Sequence, residues 1–251
     1  MPTFAPITSS TALFLDFDGT LVDFADTPDA VKVPATLISL LRGLQALLEG
    51  ALAIVSGRQI DVLDQFLAPL RLPLAGEHGL QRRTAAGRML QQHGPDSSLV
   101  LQACRSLAAQ HPALLVEQKM AAVALHYRRA PELEALCRDT LGRALQGQTQ
   151  FELLEGKLVV EAVPAHANKG HAIDAFLSEP PFCGRAPVFA GDDRTDESGF
   201  CTVQARGGHA IKVGPGATLA RHRLGGVQAV HEWLAATQDL LACQAGSKAA
   251  R

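Results

Sequence analysis

The chain is 251 residues long, 47% hydrophobic and 19% charged, which excludes the polar, highly charged profile of disorder and leaves room for one large domain or two modest ones. Lys and Arg number 23 against 25 Asp and Glu, so no global field draws the protein to nucleic acid or to an anionic membrane, and any anion must be captured locally. Five widely spaced cysteines without a CxxC pair argue against a zinc module and read as small core residues in a reducing compartment; with no leader-like N-terminus and no run of about 20 apolar residues, the expected location is the cytoplasm.

The first organised segment, 12–17, is a short apolar run that suits a strand buried on both faces of a parallel sheet, and it ends in carboxylates and a glycine. Pro34 opens a helical pattern through Leu37, Leu40, Leu41, Leu44, Leu47 and Leu48, with Gly50 as its stop. A second apolar run, 51–55, terminates in Ser56-Gly57-Arg58 and leads into another helix through Val62, Leu63, Phe66 and Leu67. Strand, helix, strand, helix in that order predicts a parallel α/β sheet. Between about 85 and 165 the texture changes to a helix at 99–109, a strand at 121–128, a helix at 131–145 and a hairpin at 151–163 with Glu155-Gly156 as its turn. The α/β pattern then resumes with a helix after Lys169, a strand at 187–190 ending in Gly191-Asp192-Asp193, a strand near 210–213 and a terminal helix around Trp233, followed by a frayed tail from Gln244. The fold class is therefore α/β, with a discontinuous core at 1–87 and 166–251 and an α+β insert at 88–165.

In open parallel sheets ligands bind beyond the carboxyl ends of the strands, and four polar clusters fall there: Asp16-Phe17-Asp18-Gly19-Thr20, Ser56-Gly57-Arg58, Asn168-Lys169-Gly170, and Gly191-Asp192-Asp193 with Asp196 and Glu197. Any one of them alone reads as a turn, a helix cap or a solvated side chain. Together they supply what phosphoryl transfer requires. Asp16 is a competent nucleophile for an aspartyl-phosphate, and Asp18, two residues on, can protonate the departing oxygen and later deprotonate water. Asp16, Asp192 and the backbone carbonyl of Asp18 form an oxygen-only set suited to Mg²⁺, with Asp193 and Asp196 expected to orient it from outside. Ser56 and Lys169 would hold the phosphoryl oxygens.

At these positions the chain resembles the haloacid-dehalogenase-like phosphatase superfamily, whose four motifs match Asp16-Phe17-Asp18-Gly19-Thr20-Leu21, Ser56, Lys169 and Gly191-Asp192-Asp193. The resemblance implies a Rossmann-like core and a mobile cap inserted between the second and third motifs, of the type that often selects sugar phosphates. A closer resemblance, over about 12–234, is to the trehalose-6-phosphate phosphatase family. It is carried by Ser56-Gly57-Arg58, Ala75-Gly76-Glu77-His78-Gly79, Ala124-Leu125-His126-Tyr127-Arg128, Gly156-Lys157-Leu158-Val159-Val160-Glu161, Asn168-Lys169-Gly170 and the stretch from Gly191 to Glu197. It implies Mg²⁺-dependent hydrolysis of trehalose 6-phosphate to trehalose and phosphate, the final step of trehalose biosynthesis, with a trehalose-6-phosphate synthase as expected partner. Glu77 and Asn168 depart mildly from the family's motifs, and neither touches the proposed chemistry.

A disaccharide presents many hydroxyls, so its pocket needs charged and amide groups to bond them. The candidates are Lys119, His126, Arg128, Lys157 and Glu161 in the insert, with Gly57, Arg58, Glu77 and His78 from the core, and Lys157 and Glu161 favoured by the family pattern. Two other readings stand beside this one: a phosphatase for a different sugar phosphate, such as sucrose 6-phosphate, and a catalytically silent sugar-phosphate sensor. The intact set of Asp16, Asp18, Lys169 and Asp192 argues against the sensor.

Overall fold

The computed structural model describes residues 7–25 and 27–249. The readings of the extreme N-terminus and of the last two residues lie outside the described residues. The chain divides into two compact units, Met1–Leu90 with Lys169–Arg251, and Gln91–Asn168.

The first unit opens with β1 (Thr11–Leu15), α1 (Ala35–Leu47), β2 (Leu52–Val55), α2 (Ile60–Leu67), β3 (Leu74–Gly76), β4 (Gln81–Arg83) and β5 (Met89–Gln91). The second unit holds α3 (Ser98–Gln110), β6 (Leu115–Gln118), β7 (Val123–His126), α4 (Glu134–Ala144), β8 (Phe151–Gly156) and β9 (Val159–Pro164). The chain then returns to the first unit with α5 (Lys169–Leu177), β10 (Ala186–Gly191), α6 (Glu197–Ala205), β11 (His209–Val213), β12 (His222–Leu224) and α7 (Val227–Ala249).

In the first unit eight strands run in the order β12-β11-β10-β1-β2-β3-β4-β5. β1 pairs in parallel with β2 on one side and β10 on the other, so the strand order reverses beside β1, where an open sheet leaves a crevice at its carboxyl end. The alternation of side chains explains why β1 reads as an unbroken apolar run. Leu13 and Leu15 pack in a core that includes Leu41 and Leu44 of α1 and Val230 and Leu234 of α7, while Ala12 and Phe14 point to the layer with Ile173 and Phe176 of α5 and Phe200 of α6. Phe14 stacks on Phe182 at 5.4 Å between ring centroids, and cutting such a buried ring back to alanine costs about 3–5 kcal/mol. β1 is therefore pinned on both faces immediately before Asp16.

The second unit is a four-stranded antiparallel sheet, β6-β7-β9-β8. One face carries Val123, Leu125, Val160 and Ala162 against Cys104 of α3 and Cys137 and Leu141 of α4. On the opposite face the register sets Glu117 beside Ala124 and Ala124 beside Glu161, with His126 across from Leu115 and Val159.

The α/β core with an inserted α+β unit is the fold class that the sequence predicts. The details differ in three places. The hairpin turn lies at Lys157-Leu158, because Gly156 is still paired with Val159 and Leu158, not the glycine, takes the left-handed backbone (φ 62°). The terminal helix runs unbroken to Ala249 where a frayed tail was expected: Gln244, Ala245, Lys248 and Ala249 favour helix and outweigh Gly246. Cys104 and Cys137 are core residues, but Cys183, Cys201 and Cys243 are exposed. Among the described residues no helix is long and apolar enough to cross a membrane.

Candidate active site

The chemistry-bearing residues lie just beyond the carboxyl ends of adjacent strands. Asp16 follows β1, with its backbone N–H donated to the Ala190 carbonyl of β10 at 2.9 Å. Asp192 follows β10, Ser56 follows β2, and Lys169 is the first residue of α5. The Asp16 carboxylate is buried and accepts a hydrogen bond from Lys169 Nζ at 2.6 Å; the same ammonium donates to Asp196 Oδ1 at 2.6 Å. Carboxylate oxygens of Asp16, Asp192 and Asp196 all lie within 4.8 Å of one another.

Local sequence explains how three acids come so close. Gly19 stands at φ +77°, and a Cβ there would be 2.2 Å from Asp192 Oδ2; the turn after Asp18 closes through Gly19 N–H to the Val22 carbonyl at 2.7 Å. Gly191 likewise leaves room for Asp196, whose Cγ would lie 2.3 Å from a Cβ at that position. Asp196 is fixed further by a capping box: its Oδ2 accepts from Asp193 N–H at 2.9 Å, and Asp193, the N-cap, accepts from Arg194 N–H at 2.7 Å. Asp193 thus orients the turn, while Asp196, expected outside the metal ligands, is itself a member of the carboxylate cluster.

Electrostatically the cluster carries more negative charge than its lysine answers. Burial pushes the Asp16 carboxyl well above the usual carboxylate range, Lys169 opposes it, and Asp196 and Asp192 push it further up. Asp192 is pushed up to about 7 by burial and by the charges of Asp196 and Asp193, against the pull of Lys169 and Lys212. Burial alone would lower Lys169, but Asp16 and Asp196 outweigh it and hold the ammonium charged. Three converging carboxylates rich in oxygen donors and short of positive charge are the set that a hard divalent cation fits. Lys212 of β11, which sequence reading passed over, donates to the backbone carbonyl of Asp192 and to that of Val213 at 3.1 Å, and so braces this strand end.

Ser56 Oγ accepts from Arg58 N–H at 3.1 Å. Arg58, expected among the substrate contacts, directs its guanidinium to Asp18 in a bidentate pair at 2.6 and 2.7 Å. Glu77 and His78 are buried and both take left-handed backbone (φ 46° and 56°), a conformation that such residues adopt only where the surroundings enforce it. Backbone bonds from Glu77 N–H to the Arg58 carbonyl (2.9 Å) and from His78 N–H to the Ser56 carbonyl (3.0 Å) tie this turn to the Ser56-Gly57-Arg58 loop, and Gln59 Nε2 donates to Glu77 Oε1 at 2.8 Å. The His78 ring lies so near Gly57 that a methyl group there would be 2.8 Å away.

In the second unit Lys119 Nζ donates to Glu161 Oε1 at 2.6 Å, and His126 Nε2 pairs with Glu117 at 2.8 Å. These four residues share the sheet face turned away from α3 and α4. Glu117 was not among the sequence candidates. Arg128 lies half-buried past the end of β7, and Lys157 is exposed at the hairpin turn.

A parallel sheet that sets Asp-x-Asp, Ser and an acidic Gly-Asp-Asp turn at its strand ends, with a Lys at the start of the helix α5 and a second unit inserted in the chain, defines a haloacid-dehalogenase-like phosphatase. The family model described as trehalose-phosphatase matches residues 14–223, and the chain belongs to that family. It is 44% identical over 225 residues to the trehalose-6-phosphate phosphatase of Escherichia coli strain K12, a match that covers 89% of this chain and 85% of the relative. It is 46% identical over 209 residues to a probable trehalose-phosphate phosphatase of Sinorhizobium fredii, covering 81% of this chain and 78% of that one. Among solved structures it is similar to a trehalose-6-phosphate phosphatase related protein, with a TM-score of 0.77 and 27% identity over 92% of this chain and 99% of the other.

Proposed function

We propose that the chain hydrolyses trehalose 6-phosphate to trehalose and phosphate through an aspartyl-phosphate on Asp16. The observation that carries this reading is the buried Asp16 carboxylate at the end of β1, oriented by Lys169 within the acidic cluster. Asp16 attacks phosphorus in line; the bond from phosphorus to the sugar oxygen breaks, its electron pair stays on that oxygen, and Asp18 supplies the proton. Water then attacks phosphorus, Asp18 accepts its proton, and the bond to Asp16 breaks with its pair returning to the carboxylate. Ser56 and Lys169 hold the phosphoryl oxygens through both steps. Asp16, Asp192 and the Asp18 carbonyl, with Asp196 beside them, would hold Mg²⁺, which neutralises the phosphoryl oxygens and suppresses their repulsion from Asp16.

In this reading the polar face of the second unit, Glu117, Lys119, His126 and Glu161, recognises the disaccharide hydroxyls, with Arg128 and Lys157 at its margins and the turn at Glu77 and His78 bracing the phosphate loop of Ser56 and Gly57. The protein works in the cytoplasm, in keeping with free thiols at Cys104, Cys137, Cys183 and Cys201, and a trehalose-6-phosphate synthase is the partner that supplies its substrate.

The test is phosphate release from trehalose 6-phosphate with and without Mg²⁺, beside sucrose 6-phosphate, glucose 6-phosphate and an aryl phosphate. Strong metal-dependent preference for the first is expected. Broad weak activity would discard the trehalose assignment, and binding without turnover would leave a sensor.

A further inference from the structure

Arg58 holds a position that substrate binding does not explain. Its Nε and Nη2 donate to the two carboxylate oxygens of Asp18 at 2.6 and 2.7 Å, and its Nη1 donates to the Pro28 carbonyl at 2.9 Å. The guanidinium carbon lies 5.1 Å from the ring centroid of Phe66 and 5.8 Å from that of Phe17, so aromatic rings of the protein help to hold it in place. A fork of two parallel N–H groups fixes the orientation of a carboxylate in a way that the point charge of a lysine does not. It also constrains chemistry. An ionised carboxylate only accepts hydrogen bonds and can take both arms of the fork, whereas a protonated one must present an O–H. The fork takes one lone pair of each Asp18 oxygen and leaves the others, so the carboxylate is held in one plane with a free position on each oxygen for a proton donor or acceptor.

We propose that Arg58 is a positioning residue for Asp18: its fork aims the carboxylate for both proton transfers. The inference rests on the acid–base role given to Asp18 above. It separates Arg58 from the residues that hold substrate, although only Gly57 stands between it and Ser56 in the chain.

The experiment is a double-mutant cycle on trehalose 6-phosphate with Arg58→Met, Asp18→Asn and the pair. Arg58→Met is expected to lower kcat about 10²-fold with KM within about twofold of native. The double variant is expected to be no more than about twofold slower than Asp18→Asn, because Arg58 acts through Asp18. With an aryl phosphate, whose departure needs no acid, Arg58→Met should release a burst of one equivalent of aryl alcohol before slow turnover, since only the water step is then impaired. A loss expressed mainly in KM, a further loss of about tenfold in the double variant, or an unimpaired Arg58→Met beside a slow Asp18→Asn overturns the inference. Full activity of Asp18→Asn would instead take down the acid–base reading itself. Should Arg58→Met fail to fold, Arg58→Lys keeps the charge without the fork; a loss of about tenfold in kcat is expected, and native kcat would overturn the inference.

Discussion

In the first unit three carboxylates converge with one ammonium bonded to two of them, whereas on the polar face of the second unit each carboxylate has a partner of its own, Glu161 the ammonium of Lys119 and Glu117 the imidazole of His126. The same residue types are thus arranged to opposite ends. The first cluster leaves negative charge unanswered, and burial makes that costly, so it is completed by whatever positive charge arrives. The second has each acid paired and offers oriented donors and acceptors to groups that carry no charge, as sugar hydroxyls do. Substitutions in the first unit should therefore disturb reaction with any phosphate ester, and those in the second should disturb only esters of the right sugar.

The largest effect tests the first half of that contrast. Asp16→Asn keeps the shape of the side chain and removes the nucleophile; turnover should fall by about 10⁴-fold or more on every substrate while the circular dichroism spectrum is unchanged. Substantial residual activity would refute the covalent mechanism. Lys169→Met comes next, because it strips Asp16 and Asp196 of their common partner. Removing one side of a buried pair costs about 3–5 kcal/mol, which denaturant unfolding of the metal-free protein should register, and activity should fall with every ester. Stability equal to native would mean that the cluster tolerates its own charge and that the contrast is misdrawn.

Glu161→Ala tests the second half. The disaccharide phosphate should lose about 10²-fold in kcat/KM, and a small aryl phosphate should stay within about threefold of native. Equal losses on the two substrates would end the assignment of this face to the sugar.

How these sites could be read from sequence follows the same division. Asp16, Ser56 and Asp192 were legible because each interrupts an apolar run at its end: Leu15 to Asp16, Val55 to Ser56, Gly191 to Asp192. Membership of Asp196 in the acid cluster was not, since the residue lies five positions past the strand and is brought back by a capping box and by the open space at Gly191. The Arg58–Asp18 pair joins residues 40 apart in the chain, a separation over which periodicity carries no information. In the second unit Glu117 sits on a four-residue edge strand whose exposed and half-buried residues give no clear apolar signal, so it passes for a solvated charge. Leu158 shows the reverse error, in which a true glycine signal at Gly156 points to a turn that the register places two residues later.

The smallest expected effect concerns Glu117, and its sign distinguishes a balanced pair from a strained one. Burial would raise the Glu117 carboxyl, but the hydrogen bond from His126 and the charge of Lys119 outweigh it and hold the group below its ordinary value of 4.5. A carboxyl depressed by folding contributes stability that is present above the unfolded value and lost as pH falls through the folded one. Glu117→Gln removes that contribution, so its thermal midpoint should lie below native at neutral pH by an amount worth at most about 1 kcal/mol, as the partly exposed setting of Glu117 dictates. The difference should close on acidification below 4.5, where the native carboxyl also takes up its proton. A gap that stayed constant with pH would show that Glu117 contributes shape alone. One of opposite sign would place this carboxylate with the under-neutralised acids of the first unit, and the contrast between the two faces would fail at the residue where it is finest.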